Sequence, residues 1–164
     1  MIGKRRLSAR GIGWLLVACA FGSPLPGQNP PSKPPGPKDK CAVCGMFVAE
    51  FQDFLAEIVL KNGSHLYFDG AKDMFRYYFE PEKYDPSRRR TEFAALYVTD
   101  YYGLNRIPAE GAFYVAGSDI RGPMGNELIP LFREPDAKTF LKDHRGKSVL
   151  RMDQLTIELI NGLD

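Results

Sequence analysis

Two cysteines and a methionine within six residues form the most reactive group of side chains in the sequence. The segment Cys41-Ala42-Val43-Cys44-Gly45-Met46 places two thiols and one thioether close together. Soft sulfur donors suit a soft ion such as Cu(I) better than a hard cation. A structural zinc site needs four closed ligands, and the sequence has no second CxxC motif and only two histidines. The segment therefore favours binding of a soft metal.

The same two cysteines leave other interpretations open. A CxxC is also the redox motif of thioredoxin-like proteins, where it opens a helix after a buried strand. In this sequence a proline-rich stretch precedes Cys41, and Gly45 follows Cys44 directly. The alternatives are thus a thiol oxidoreductase that uses Cys41 and Cys44, or a passive protein in which they form a structural disulfide. Neither a Ser/His/Asp set nor a phosphate-binding glycine loop is recognisable, so the sequence gives no indication of an enzyme.

Three further side chains are candidate metal ligands. Met46 could turn its sulfur toward the two thiols, or it could fill a gap in the core. Met124 lies in a turn between Pro123 and Gly125, where packing is not the obvious reason for a methionine. His144 shares helical spacing with apolar residues, so it is either a half-buried histidine at a helix C-terminus or an imidazole that completes a sulfur site.

The first 40 residues predict export and attachment to a membrane. Residues 1–18 combine a basic start with a short apolar run, which is typical of a signal peptide. Leu16-Val17-Ala18-Cys19 resembles a bacterial lipobox, which predicts lipidation of Cys19. Ala20 follows in place of Asp, and by the sorting rule of Gram-negative lipoproteins this implies the periplasmic face of the outer membrane. The proline-rich residues 19–40 are expected to form an extended, unpacked tether.

The charge of the chain gives no support for nucleic-acid binding. Four of the 22 basic residues precede Cys19 and no acidic residue does, so 18 basic and 20 acidic residues remain after cleavage. The formal net charge of +2 therefore depends on the export signal.

Hydrophobic patterning predicts an α+β protein with two small units. In the first, residues 41–86, a strand over 54–60 and a return strand over 65–68 flank Asn62-Gly63, a hairpin signal. Asp69 is expected to cap a helix that runs to about Phe79. The second unit, residues 91–164, should contain strands over 93–99, 112–116, 128–132 and 148–151, a helix ending near His144, and a last helix capped by Asp153.

At this level of detail the sequence resembles the NosL family of copper-chaperone lipoproteins. The resemblance rests on the lipobox, on the CxxC-Gly-Met segment, and on further segments that occur in the family's order between residues 41 and 160. These further segments are Phe68 to Met74, Leu96-Tyr97-Val98-Thr99-Asp100, Ala112-Phe113-Tyr114-Val115, Pro123-Met124-Gly125 and His144-Arg145-Gly146.

The resemblance implies a fold, a ligand set and partners. The fold would be two ββαβ-type units similar to the organomercurial lyase fold. One Cu(I) would be held by Cys44 and Met124, with Met46, Cys41 or His144 completing a low-coordinate site. Delivery toward the copper–sulfide cluster of nitrous oxide reductase, together with an ABC-type transporter complex, is implied, although relatives outside denitrification could serve another cuproenzyme. The family usually has Gly at the position of Arg145.

Overall fold

Two main antiparallel sheets and four helices form the part of the chain that the structure, a computed structural model, describes: residues 29–164. This mixture of helix and sheet confirms the predicted α+β class. The predicted signal peptide over 1–18 and the predicted lipid attachment at Cys19 lie outside the described residues. Within the described part, no helix is both long and apolar enough to cross a membrane.

The first sheet has the strand order β2-β1-β3-β4. Its strands are β1 (Ala56–Leu60), β2 (His65–Phe68), β3 (Phe93–Thr99) and β4 (Arg106–Pro108). The β1–β2 hairpin turns at Gly63, whose φ of +81° is the left-handed conformation that the Asn-Gly signal predicts. Helices α1 (Ala71–Phe79) and α2 (Pro81–Tyr84) connect β2 to β3.

The strand over residues 93–99, which the sequence analysis placed in the second unit, belongs to the first sheet. Its Leu96 lies opposite Ile58 of β1. Both faces of β3 meet apolar side chains: Leu96 and Val98 enter the main core, while Ala95 and Tyr97 pack with Val59 on the other face. The polar residues 85–90 therefore form a turn within a crossover connection rather than a boundary between units.

The second main sheet repeats the connections of the first. Strand β5 (Phe113–Ala116) is central, between β8 (Ile129–Leu131) and β9 (Ser148–Leu150), and α3 (Glu134–Asp143) connects β8 to β9. In both sheets the chain thus enters at an interior strand, pairs the next strand on one side of it, forms a helix and returns on its other side; in the first sheet β4 then adds a fourth strand beyond β3. Between β5 and β8 lies a small hairpin of β6 (Arg121–Gly122) and β7 (Gly125–Asn126).

One main core joins the two sheets. It contains Phe68, Met74, Phe75 and Tyr77 from the first part of the chain, together with Ala112, Tyr114, Leu128 and Ile160 from the second. Met74 is fully buried there, on the apolar side of α1. A smaller cluster lies under α3 and consists of Val115, Ile129, Leu131, Ala137 and Phe140.

Two predicted helix caps are wrong. Gly70, in extended conformation and without a side-chain cap, precedes α1, so Asp69 lies one residue too early to cap it. The last helix, α4 (Ile157–Asn161), is capped by Thr156, whose hydroxyl oxygen accepts the N–H of Leu159 at 3.2 Å. Asp153 instead lies in a short 3₁₀ turn over Met152–Gln154.

The end of the proline-rich segment is packed, so the prediction of an unpacked tether is wrong for residues 30–34. The backbone carbonyl of Pro30 accepts the Tyr97 hydroxyl at 2.7 Å, and the Lys33 N–H donates to Glu57 at 3.1 Å. Glu57 is buried on the outer face of β1, where His65 Nδ1 also lies 2.5 Å from its carboxylate. A buried carboxylate is costly unless it is hydrogen-bonded. The hydrogen bond from Lys33 to Glu57 therefore favours packing of residues 30–34 against the sheet.

Candidate metal centre

A tight loop brings the two thiols of the CxxC segment together. The Cys41 N–H donates to the Met46 carbonyl at 2.8 Å, and the Gly45 N–H donates to the Cys41 carbonyl at 3.0 Å. Gly45 has a φ of +80°, a conformation that favours glycine. The loop is anchored on the first sheet, because the Ala42 N–H donates to the Tyr67 carbonyl of β2 at 3.1 Å. Both cysteines are free thiols.

The start of α1 adds two carboxylates to the thiols. The Cys41 thiol donates to Asp73 Oδ2 at 3.5 Å, and the Cys44 thiol donates to Asp69 Oδ2 at 3.4 Å. One sulfur or oxygen atom from each of the four residues lies within 4.8 Å of the others. In residues 29–164 this is the only group of three or more His, Cys, Asp or Glu side chains with such spacing.

The thiols are kept protonated mainly by burial. Burial raises the pKa of Cys41 far above its ordinary value, although the N–H groups of Cys44, Asp69 and Val43 oppose the shift. Burial also raises the pKa of the half-buried Cys44, and the negative charge of Asp69 adds to this effect. A metal ion that replaces the thiol protons therefore meets sulfur atoms already surrounded by backbone donors that stabilise the thiolate.

The carboxylates of the cluster are in an unfavourable environment. Burial and the neighbouring Asp69 raise the pKa of Asp73, against the opposing charges of Arg76 and Lys72. Asp69 Oδ1 is buried and has no hydrogen-bond partner among the described residues. An unpaired buried acceptor is costly, and a cation bound in the cluster would remove that cost.

Met124 is located beside α1, the helix whose first turn carries Asp73. It lies at the tip of the β6–β7 hairpin and is 45% exposed. Its backbone carbonyl accepts a hydrogen bond from the Lys72 ammonium at 3.0 Å. Lys72 is adjacent to Asp73 on α1, so the hairpin that carries the thioether contacts the same helix turn as the cluster. Met46 is half-buried at the end of the CxxC loop.

A buried glutamate connects the same hairpin to the start of α1. Glu127 Oε1 accepts the N–H of Lys72 at 2.7 Å and the N–H of Leu128 at 2.9 Å. Its carboxylate comes so close to Gly70 that a Cβ atom there would lie 2.2 Å from Oε2. Glu127 thereby provides the acceptor that Gly70 lacks at the N-terminus of α1.

His144 has partners of a different kind. It follows α3, where the sequence placed it, and its ring packs on Phe140 with 4.3 Å between ring centres. Its Nδ1 lies 3.4 Å from Asp119, and its backbone carbonyl accepts the Asp119 N–H at 2.9 Å. The cluster of thiols and carboxylates does not include it.

Sequence reasoning missed four residues of this region: Asp69, Asp73, Lys72 and Glu127. The first two had a signal, because Asp69 and Asp73 lie on either side of the start of the predicted helix, directly after the hairpin that follows the CxxC segment. Asp69 was interpreted as a cap instead. Lys72 and Glu127 had no such signal in the sequence, because their contact joins residues that are 55 positions apart.

Fold and site together define a small α+β protein with a candidate metal centre of thiols and carboxylates at a helix start. Comparison with known proteins identifies the family. The NosL family model matches residues 33–160, and the chain belongs to the NosL family.

The chain is also similar to individual known proteins. The copper-binding lipoprotein NosL of Stutzerimonas stutzeri is 31% identical over 130 residues, which cover 74% of this chain and 64% of that protein. This chain therefore aligns with less than two thirds of that relative's length. The crystal structure of the copper chaperone NosL from Shewanella denitrificans shares the fold, with a TM-score of 0.68 and 24% identity over 80% of this chain and 98% of that one. The solution structure of apo-NosL from Achromobacter cycloclastes has a TM-score of 0.46 and 28% identity, covering 64% and 87%.

Proposed function

We propose that this protein binds Cu(I) at the thiol cluster and passes it on as a metallochaperone. The observation that carries the proposal is the convergence of Cys41, Cys44, Asp69 and Asp73 within 4.8 Å. The buried, unpaired oxygen of Asp69 supports a cation there, and two sulfur donors favour a soft one. The names of two relatives, a copper-binding lipoprotein and a copper chaperone, agree with copper as that ion.

The ligand set follows from which donors can reach a shared ion. Cys44 is the proposed anchoring thiolate, because it is the more exposed of the two cysteines. Met124 is the proposed thioether ligand, since its hairpin contacts the helix turn that carries Asp73. Cys41 and Met46 lie on the same loop and are the proposed completing donors. His144 remains a further candidate, and its separate contacts with Asp119 and Phe140 make it the least supported.

Release of the ion is as important as binding for a chaperone. A half-buried thiol and an exposed thioether allow a partner's ligands to approach the ion, while the second thiol stays buried. Binding requires loss of a thiol proton, and the raised pKa of Cys44, caused by burial and by Asp69, makes the reverse step favourable when a partner removes the ion.

The rival role of thiol oxidoreductase has less support. The attacking cysteine of such enzymes is activated by a lowered pKa, often at a helix N-terminus or beside a cation. Here burial raises the pKa of both thiols, and the nearest charged neighbours are carboxylates. A metal carrier can use this arrangement, because the carboxylates attract the cation.

We further propose that the protein acts at the outer membrane, on its periplasmic face, anchored by lipid on Cys19. The proposed client is nitrous oxide reductase, whose copper–sulfide cluster would receive the ion together with an ABC-type transporter complex; another cuproenzyme is the alternative. These proposals rest on the lipobox-like sequence and on the family resemblance. Deletion of the protein at limiting copper should leave the reductase without its cluster, and a fully loaded reductase would reject this client.

Anaerobic titration of the full-length chain in detergent tests the copper site directly. Competition against a Cu(I) chelator should show one tight site. Cys44→Ser should abolish it, and Met124→Leu should weaken it, whereas the matched change Met152→Leu, in a residue packed against the core, should not. Unchanged binding after Cys44→Ser, or equal effects of both methionine changes, would contradict the proposed ligands. Cys19→Ser should keep the affinity and lose the membrane-bound fraction.

A further inference from the structure

The hairpin that carries Met124 is too small to fix its own position. Each of its strands has two residues, and among residues 29–164 it pairs with no other strand. Isolated two-stranded hairpins are only marginally stable in water. The position of the Met124 thioether therefore depends on contacts between this hairpin and the rest of the molecule.

Lys72 provides the first of these contacts. Its side chain is almost completely buried, and its ammonium donates to the Met124 carbonyl and to Asp164 Oδ1, both at 3.0 Å. A buried ammonium is costly unless it is paired and hydrogen-bonded. Since Lys72 has these two acceptors, moving the hairpin away would leave part of its hydrogen-bonding capacity unused.

Glu127 provides the second contact, from the strand side. Its carboxylate lies against two glycines, Gly70 before α1 and Gly122 in β6. A Cβ atom on Gly122 would lie 2.9 Å from Glu127 Oε2, and the backbone N–H of Lys72 donates to Oε1 at 2.7 Å. The carboxylate thus lies between the hairpin and the first turn of the helix.

We propose that Lys72 and Glu127 are positioning residues that hold Met124 at a fixed place relative to the thiols. Their contacts between α1 and the β6–β7 hairpin, here called the helix–hairpin contact, connect the hairpin that carries Met124 to the first helix turn, which contains Asp73. The inference rests on the proposed function, because it concerns one ligand of the proposed copper site. A ligand held in place before the ion arrives gives tighter binding than one that must be ordered during binding.

A double-mutant cycle on the full-length chain tests this role. Lys72→Leu removes the ammonium but keeps an apolar side chain without a donor atom, and it should weaken Cu(I) binding by about tenfold, as expected for one lost buried hydrogen bond. In the Met124→Leu background the same change should have no further effect, because Lys72 acts through Met124. The control Lys138→Leu changes an exposed lysine on α3 that pairs with Glu134, and it should leave affinity unchanged.

Two further variants keep the test decisive if Lys72→Leu does not fold. Gly122→Ala pushes on the Glu127 carboxylate from the hairpin side, and it should also weaken binding only when Met124 is present. Glu127→Gln keeps an acceptor for the Lys72 N–H and should retain near wild-type affinity, whereas Glu127→Ala should not. The number of sulfur atoms around the bound ion, measured by X-ray absorption, should fall by one in Lys72→Leu.

The outcomes separate the two proposals. If Lys72→Leu weakens binding equally in the wild-type and Met124→Leu backgrounds, the positioning role is wrong. The same holds if Cys44→Ser abolishes binding while Lys72→Leu and Gly122→Ala leave it unchanged. If Cys44→Ser itself leaves binding unchanged, the proposed thiol site fails before the positioning question arises.

Discussion

The first turns of α1 and α3 show how one arrangement of strands and helices supports two different environments. Both helices follow a strand at the edge of a three-strand group and lead back to the opposite edge. At the start of α1, Lys72 and Asp73 are at most 2% exposed. At the start of α3, Arg133 pairs with Asp136 at 2.7 Å on the surface, with the arginine side chain 69% exposed.

The difference lies in what covers each helix start. The CxxC loop and the β6–β7 hairpin both contact the first turn of α1, so its charged groups are buried, and burial together with the charge of Asp69 raises the pKa of Asp73. The first turn of α3 has no such cover, and its ion pairs are of the weakly stabilising surface type. Function therefore follows from the covering segments rather than from the repeated arrangement itself.

Removing an aromatic ring from either core tests whether the two sheets are stabilised together. Phe75 of α1 packs edge-on against Tyr114 of the second sheet, with 5.3 Å between ring centres. Phe75→Ala should lower the free energy of unfolding by about 4 kcal/mol, and Phe140→Ala under α3 by a similar amount. Urea unfolding followed by both far-UV circular dichroism and tyrosine fluorescence should show a single transition in each variant. Two separate transitions after Phe75→Ala would indicate that the sheets unfold independently.

The buried carboxyl beside α1 predicts a pH dependence that the exposed carboxyls of α3 lack. Burial raises the pKa of Glu127 from 4.5 to about 7, against the opposing N–H groups of Leu128 and Lys72. With a raised pKa in the folded state, its contribution to stability is complete below pH 4.5 and is lost as the pH rises through 7. The loss should reach about 3 kcal/mol above pH 7.

Glu127→Gln removes this titration and isolates its effect. Relative to wild type, the variant should gain stability by about 3 kcal/mol between pH 4.5 and pH 8, as measured from urea unfolding at both values. The control Glu134→Gln, at the exposed start of α3, should follow the wild-type curve closely. Parallel curves for wild type and Glu127→Gln would show that Glu127 is already ionised throughout this range.

Local patterns made most of the secondary structure predictable. The hairpin over β1 and β2 followed from alternating residues around Asn62-Gly63, and the strand Phe93–Thr99 was predicted with its observed bounds. The CxxC loop was also correctly identified as the place where thiols meet. These features depend on neighbouring residues, whose spacing alone determines which faces they share.

Contacts between distant segments were not predictable in the same way. The pairing of β3 with β1 was missed because both faces of β3 are apolar, and such a strand carries no sign of its partner. The helix–hairpin contact was missed because Lys72 and Glu127 look like ordinary surface residues in sequence. Asp69 was assigned to a cap, since an aspartate just before a helix is usually found there, and only the structure shows its carboxylate turned to Cys44.

Neutralising one carboxylate at each helix start compares their influence on the thiols. Burial and the charge of Asp69 raise the pKa of Cys44. Asp69→Asn should therefore lower that pKa, increase the thiolate fraction at neutral pH, and make alkylation of Cys44 by iodoacetamide severalfold faster. Asp136→Asn, at the start of α3, should leave the rate unchanged. The modified cysteine is identified by peptide mass spectrometry, and a slower reaction in Asp69→Asn would mean that Asp69 acts as a base for the thiol.

The smallest predicted effect concerns the opposite ends of the same two helices. Helix α1 ends at Phe79 before a second short helix, whereas α3 ends at Asp143 and is followed by His144 and by Arg145, which has a φ of +53°. This left-handed conformation costs a residue with a Cβ about 1 kcal/mol relative to glycine. Arg145→Gly should raise the free energy of unfolding by about that amount.

The sign of this effect separates a backbone cause from a side-chain one. Lys138→Gly, inside α3 where the backbone is helical, should lower the free energy of unfolding by about 1 kcal/mol, so the two glycine substitutions should move the urea midpoint in opposite directions. If Arg145→Gly is instead destabilising, the arginine side chain contributes a contact that outweighs its backbone strain. In that case the Cu(I) affinity of Arg145→Gly becomes informative, because Arg145 is adjacent to the candidate ligand His144. An affinity that stays at the wild-type value while stability falls would confine the role of Arg145 to the end of α3.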